Sequence, residues 1–311
     1  MIAVCLYLYH PDLWKDFKKL LSPFKDNIYL YLALSEDHGQ QKDIVHSAKN
    51  NFKTTISFHK NYGADVASFL QILPNVKEPY FIKLHSKKSL LGAYNQVEWR
   101  HVLLHDFLGS KKIFWHNYKT ILSPEYGAIG NQNLLLSDNE SYHSKQIREI
   151  CDILKIDYDN IKNYSFFGGN MFMSKTNIFK NYFIPYQDVL QKLLSREINK
   201  VEEKTDGTYS HALERIFGYI IGYNNLKFAT VKHKTINILN KKAPNGIFHM
   251  VKLYNNDCYL QEDLNVYGKI LDDSKENFTI EWHHMNPKRV QTYDFVRKTA
   301  IVQKTVDTTV N

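Results

Sequence analysis

The sequence predicts an α/β domain built on a mostly parallel, doubly wound central sheet, and three observations carry that prediction. Short apolar runs recur at Ile2–Tyr9, Ile28–Leu34, Thr54–Phe58 and Pro79–Leu84. Between them, apolar residues fall at helical spacing: Leu13, Trp14, Phe17, Leu20 and Leu21, then Val66, Phe69, Leu70 and Leu73. Breakers separate the two patterns, with Pro11-Asp12 ahead of the first helix and Pro23 behind it. Strands alternating with helices form parallel pairs, because each crossover returns the chain to the same end of the sheet.

Downstream, Trp99–Leu108 and Tyr142–Leu154 read as helices. Phe166–Met173 reads as one strand entered through Gly168 and Gly169, and Asp206–Ile221 as a helix. From about residue 235 the pattern weakens into short strands and turns. The expected division is therefore a main domain over 1–235 and a C-terminal extension over 236–311.

Composition narrows the class. With 311 residues, 43% of them hydrophobic, the chain buries a sizeable core. The formal charge of +8, from 40 basic against 32 acidic residues, suits phosphate-rich ligands, nucleic acid or an anionic membrane surface without choosing among them. Cys5, Cys151 and Cys258 stand far apart, which argues against a disulfide framework or a cysteine zinc site. The apolar start is too short for a signal peptide, and no run of about 18 apolar residues offers a transmembrane helix. The expected location is cytoplasmic, at the inner face of the cell membrane if the acceptor is lipid-linked. The sequence has no P-loop, dinucleotide fingerprint or nucleophile elbow, and no recognition-helix or RNA-binding motif, so nucleic acid is not an expected partner.

In doubly wound sheets ligands sit beyond the carboxyl ends of the strands. Three strand exits qualify. The fourth strand opens into Lys83-Leu84-His85-Ser86-Lys87-Lys88-Ser89, where Lys83, His85, Lys87 and Lys88 would neutralise a diphosphate leaving group; a solvated basic turn is the plainer alternative. The third opens into Asn61-Tyr62-Gly63-Ala64-Asp65, where Gly63 permits a tight backbone and Asp65 either caps the next helix or holds a ribose or sugar hydroxyl. The first ends at Tyr9-His10, which either stack on a base or simply end a strand.

Two further segments carry chemistry. Gly168, Gly169 and Asn170, flanked by aromatics, either let a backbone approach an acceptor sugar or pack strand against helix. Asp206 lies at or near the start of a helix, as its cap or as the general base for an acceptor hydroxyl. Glu214 is the reserve base; His211 is a further catalytic candidate and Arg215 a donor-binding one, the two forming an i, i+4 pair on the same helix. No His-x-x-x-His or Asp-x-Asp arrangement stands near the crevice, and His283-His284 on a strand would point to opposite faces. No obligatory divalent metal and no cofactor are expected.

Taken in order, Asn61 to Leu70, Lys83 to Ser89, Trp99-Arg100, Gly168 to Phe172 and Asp206-Gly207-Thr208 with His211 to Arg215 resemble the rhamnan synthesis protein F family of bacterial polysaccharide-assembly proteins. The resemblance spans roughly residues 1–230. It implies work on rhamnose-containing or related cell-surface glycans. The order also resembles a glycosyltransferase of the A type, a single Rossmann-like nucleotide-sugar domain. In that comparison Lys83 to Ser89 stands where many such enzymes carry a metal-binding Asp-x-Asp, and the helix from Asp206 to Arg215 where they place the acceptor-activating acid. The resemblance thus implies a nucleotide-sugar donor of the dTDP-rhamnose or UDP-galactofuranose type and a glycan or lipid-linked acceptor. With the converging strand exits it leads to an expectation of inverting, metal-independent transfer, the region after 235 being a C-terminal appendage or an acceptor-side extension. The competing expectation is a non-catalytic glycan-binding or scaffold subunit of a polysaccharide assembly complex.

Overall fold

The computed structural model describes residues 1–38, 41–86, 103–104, 107–137, 144–161, 163–197 and 208–231, and beyond them the course of the strands given below. The first unit comprises Met1–Lys88 and Leu103–Val231, and the second Ser89–Val102 and Lys232–Asn311.

The first unit opens with β1 (Ile2–Leu8), α1 (Trp14–Leu21), β2 (Ile28–Ser35), α2 (Gln41–Asn51), β3 (Thr54–His59), α3 (Ala64–Ile72) and β4 (Tyr80–His85). After these come α4 (Lys111–Leu122), β5 (Tyr126–Asn131), β6 (Leu135–Ser137) and α5 (Ser144–Leu154). It closes with β7 (Ser165–Phe167), β8 (Phe172–Lys175), α6 (Thr176–Phe183), α7 (Gln187–Leu194), α8 (Tyr209–Tyr223) and β9 (Lys227–Val231). The sheet runs β3-β2-β1-β4-β8-β5-β9. Only β8 is antiparallel to its neighbours. The mostly parallel doubly wound sheet expected from the sequence is therefore present.

Strand order explains the burial. β1 lies inside the sheet and is buried along its whole length, so it needs apolar side chains on both faces. Ala3, Cys5 and Tyr7 join Phe81, Phe172 and residues of α3, α5, α6, α7 and α8 in one core cluster. Ile2, Val4, Leu6 and Leu8 alternate with them and are buried as well. Within the cluster the rings of Phe69, Phe81, Phe172, Phe179 and Phe217 stack at centroid separations of 5.0 to 6.1 Å. From β1 the order proceeds outward to β2 and β3 on one side and to β4 on the other. That reversal between β1 and β4 is the topological switch point.

Three sequence expectations need correction. Phe166–Met173 is two strands: a turn with Gly169 at φ 78° and Asn170 at φ 55° separates β7 from β8. A left-handed pair cannot continue a strand, and its glycine is what the turn requires. The last helix starts at Tyr209, three residues later than expected, with Thr208 in the N-cap position. The region after 235 is more regular than its sequence suggests. Strands β10 (Thr235–Ile236), β13 (Val251–Tyr254), β14 (Asp257–Leu260), β15 (Tyr267–Asp273), β16 (Asn277–Trp282), β17 (Lys288–Asp294) and β18 (Thr299–Val306) form a second, wholly antiparallel sheet in that order. Between β10 and β13, β11 (Lys242–Ala243) and β12 (Gly246–Ile247) make a separate hairpin.

Candidate functional site

Parallel strands deliver their exits to one edge of the sheet, and at the switch point the exits of β1 and β4 are stitched together. The Ser86 amide donates to the Tyr7 carbonyl at 2.8 Å, and the His10 amide donates to the Ser86 hydroxyl at 3.0 Å. Beside this stitch the half-buried Tyr9 ring meets the edges of His10 and His38, at 4.9 and 4.7 Å between centroids. At the exit of β2 the Ser35 hydroxyl donates to the Asp37 carboxylate at 3.2 Å. At the exit of β3 the buried Tyr7 hydroxyl donates to the side-chain oxygen of Asn61 at 3.2 Å.

Gly63 and Ala64 turn the chain into α3 with φ of 58° and 50°. A side chain at Gly63 would also come within 2.8 Å of Leu194 on α7, so both conformation and close packing demand glycine there. The turn sets Asp65 in the first turn of α3. Its Oδ2 accepts a short hydrogen bond from the Lys83 ammonium and one of 2.7 Å from the Asn170 side-chain amide, and His85 Nδ1 lies 3.5 Å away. Lys83 also donates to the Asn170 carbonyl at 3.0 Å. One left-handed turn residue therefore serves the cluster with its main chain and its side chain.

Lys83 is only 1% exposed, whereas Asp65 keeps 15% of its side chain in contact with solvent. The ammonium is enclosed on one side by the rings of Phe69 and Phe217, at 5.5 and 5.9 Å. Burial pushes its pKa below the ordinary lysine value, against the opposing pull of Asp65 and, more weakly, of Glu214. Cys5 shares this interior, and burial pushes its thiol up, so it is no nucleophile.

A second group of side chains gathers at the head of α8. Thr208 Oγ1 accepts from the His211 amide at 3.3 Å and lies 2.6 Å from His211 Nδ1. The Glu197 carboxylate, 7% exposed, accepts from the amides of Tyr209 and Ser210 and from the Ser210 hydroxyl. Arg215 donates to the His211 carbonyl at 3.1 Å and lies 5.0 Å over the Phe166 ring. Glu214 lines a small, water-sized pocket with Phe167, Phe172, Phe217 and Phe228.

Of the residues singled out in the sequence, Asp65, Lys83, His85 and Asn170 meet in one cluster, with Glu214 within electrostatic reach of Lys83. Tyr9, His10, Asn61 and Gly63 stand at the strand exits around it. Gly168 and Gly169 lead into the turn that presents Asn170, and the Gly168 amide is bonded to the Leu134 carbonyl. His211 and Arg215 are tied to each other on α8. Lys87, Lys88, Asp206, Trp99-Arg100 and His283-His284 lie outside the described residues. Sequence reasoning missed Asp37 and His38, although the strand-exit rule applied to β2 would have found them. It also missed Glu197, which no local pattern marks. Among the described residues, no three His, Cys, Asp or Glu side chains gather as a metal-ligating set. No described helix is long and apolar enough to cross a membrane.

A doubly wound α/β domain with a charged cluster beside its switch point is an architecture that places a ligand at the strand exits. Residues 1–226 match the family model described as Rhamnan synthesis protein F. The chain belongs to that family, and the match ends within the first unit. Among solved structures, S. aureus TarS 1–349 in complex with UDP-GlcNAc is similar at 9% identity and a TM-score of 0.38. That comparison covers 75% of this chain and 57% of that one. No curated protein matches the chain.

Proposed function

We propose that the first unit is a glycosyltransferase that moves a sugar from a nucleotide-sugar donor to a growing bacterial surface polysaccharide, with inversion and without an obligatory divalent metal. The observation that carries the reading is the Asp65–Lys83–Asn170 cluster beside His85 at the switch point. Family membership supports the setting in cell-surface glycan assembly.

In this reading the nucleoside rests among Tyr9, His10, Asn61 and Asp65, and the diphosphate lies toward His85, Lys87 and Lys88. An acceptor hydroxyl, deprotonated by Asp206 with Glu214 in reserve, attacks the anomeric carbon. The bond from that carbon to the diphosphate oxygen breaks, and its electron pair leaves with the nucleoside diphosphate. General-base help of this kind contributes about 10²- to 10⁴-fold. Lys83 takes a different part from the other cations. Its ammonium is buried and engaged, so it balances and aims Asp65 and leaves the leaving group to the cations beyond the strand. A carboxylate without that counter-charge would repel the diphosphate beside it. The acceptor is a glycan or lipid-linked glycan, met on the side of Gly168 to Asn170. The donor is of the dTDP-rhamnose or UDP-galactofuranose type.

Incubation with a panel of nucleotide sugars and a lipid-linked or synthetic acceptor tests this. The expected result is turnover with one donor class, retained in EDTA and lowered at least 100-fold by Asp206→Asn. Undiminished turnover in Asp206→Asn overturns the base, and loss in EDTA overturns the metal-free mechanism. The separate antiparallel sheet of the second unit favours one other reading, a glycan-binding or scaffold subunit. Calorimetry separates the two: nucleoside diphosphate binding that disappears in Lys87→Ala/Lys88→Ala speaks for a donor site, and glycan binding alone for a scaffold.

A further inference from the structure

The exposed face of α4 combines large apolar side chains with charge of one sign. The helix reads Lys-Lys-Ile-Phe-Trp-His-Asn-Tyr-Lys-Thr-Ile-Leu and contains no acidic residue. Phe114, Asn117 and Ile121 are its buried side, and the Ser110 hydroxyl caps its start by accepting from the Ile113 amide at 3.2 Å. At about 100° per residue, Lys111, Leu122, Trp115, Lys119, Lys112 and His116 fall within one arc of about 140°. All six are exposed.

Trp115 and Leu122 are 39% and 47% exposed. Trp115 is held in place by edge contacts with Phe114 and Tyr118, at 5.2 and 5.7 Å between centroids, so the indole presents a fixed surface. Phe24 packs on Phe114 at 4.7 Å and brings Lys25 and Asp26, one charge of each sign, to the flank. The acid that follows the helix, Glu125, is bound by Lys227 at 2.8 Å. The helix's own lysines therefore set the sign of this face. Val189 on α7 makes a useful contrast, because it is equally exposed at 47% but follows Asp188 directly.

We infer that this face docks the protein on an anionic lipid surface. Three lysines around an indole and a leucine are the composition of a helix lying in the headgroup region. The indole suits it because its apolar body and polar N–H fit a boundary that is half wet. Each lysine near an anionic leaflet adds about 1 kcal/mol of attraction, so neither the two apolar groups nor the three charges hold the protein alone. A turn of three residues leads from the end of α4 into β5, which places the lysine-rich start of the helix toward the carboxyl ends of the strands. The docked face would thus present its basic end on the crevice side of the sheet. None of this depends on the catalytic reading, and the test reads binding rather than turnover.

Flotation of the full chain with vesicles of phosphatidylcholine alone, and with phosphatidylglycerol as about one third of the lipid, decides the matter. The expected result is flotation with the anionic vesicles only, weakened at least tenfold in about 0.5 M salt. Lys111→Gln/Lys112→Gln/Lys119→Gln should lower the partition coefficient about 100-fold, and Trp115→Ser about tenfold. Val189→Ser/Lys192→Gln, a comparable change on α7, should float like the parent. All four sites on α4 are exposed, so thermal melting should be unchanged in these variants. Absence of flotation, equal flotation with both vesicles, or equal losses in the α4 and α7 variants would each overturn the inference. So would a Trp115-dependent dimer in solution that does not float, which would assign the face to a second copy of the chain.

Discussion

Asp65 and Glu197 face the same difficulty, a carboxylate drawn out of water at the head of a helix, and the two regions resolve it with different partners. Asp65 is met by a buried ammonium, a side-chain amide and, at 3.5 Å, a histidine nitrogen. Glu197 is met by two helix amides and a hydroxyl, the groups that a helix start leaves without partners. The first solution ties α3, β4 and the β7–β8 turn into one charged unit. The second ties only the turn after α7 to α8, and introduces no cation. In the proposed reading, binding chemistry falls to the first region and geometry to the second: a ligand beside Asp65 would feel a balanced ion pair, whereas the hydrogen bonds at the head of α8 are internal to the protein.

The largest effect should come from unbalancing the ion pair. Lys83→Met leaves Asp65 without its ammonium and should cost about 3 kcal/mol in urea denaturation, the low end for a broken buried pair because Asp65 retains some solvent. Lys83→Met/Asp65→Asn removes both charges and should recover about half of that loss. A double variant no more stable than the single one would mean that the ammonium acts by packing alone. The same pair predicts a pH dependence. The folded pKa of Lys83 lies below the ordinary value of 10.5, so between the two the unfolded chain binds the extra proton. Unfolding free energy should therefore rise with pH through that window, and the rise should vanish in Lys83→Met. At the other region Glu197→Ala leaves two amides unsatisfied and should cost about 2 kcal/mol. Thr208→Ala should cost about 1 kcal/mol, the ordinary value of a lost cap. If Glu197→Ala proves costlier than Lys83→Met, the contrast between the two solutions is wrong.

The strands that became β1 to β4 were legible because long apolar runs alternated with amphipathic helices; Asp65 and His85 were legible because they follow those runs, and Lys83 because it is the one charge within its run. What was hidden has a physical reason in each case. β5 reads Tyr-Gly-Ala-Ile-Gly-Asn, which looks like a loop. Its glycines are there because a side chain at Gly130 would strike the Phe167 ring at 2.5 Å, and one at Gly127 would strike Ile221 at 2.7 Å. α2 buries only Ile44 and Ala48, too narrow a stripe to announce a helix. Lys83 was legible as a cation, but its direction was not. Alternation along β4 puts it on the face that α3 and α8 cover, and only the assembled sheet shows that this face is the interior. Asn170 was picked for its glycine neighbours as an approach to sugar. The structure gives it a left-handed backbone that turns both its carbonyl and its amide onto the ion pair.

The smallest expected effect tests whether the crevice rim resembles the Lys83 interior or the solvated head of α8. His59 ends β3 two residues before Asn61, is 5% exposed, and has its Nε2 in a hydrogen bond with the Ser57 hydroxyl at 2.6 Å. Burial lowers its pKa below the ordinary 6.5. The unfolded chain therefore takes up a proton first as the medium is acidified, and the folded rim resists it. The contribution of His59 to stability is complete above pH 6.5 and falls as the pH drops toward its folded value. Melting temperature measured across this acidic window should decline in the parent and decline less steeply in His59→Asn, with no difference between the two slopes above pH 7. Parallel slopes throughout would show that the imidazole is open to water. The rim around Asn61 would then belong with the solvated region rather than with the buried pair beneath it.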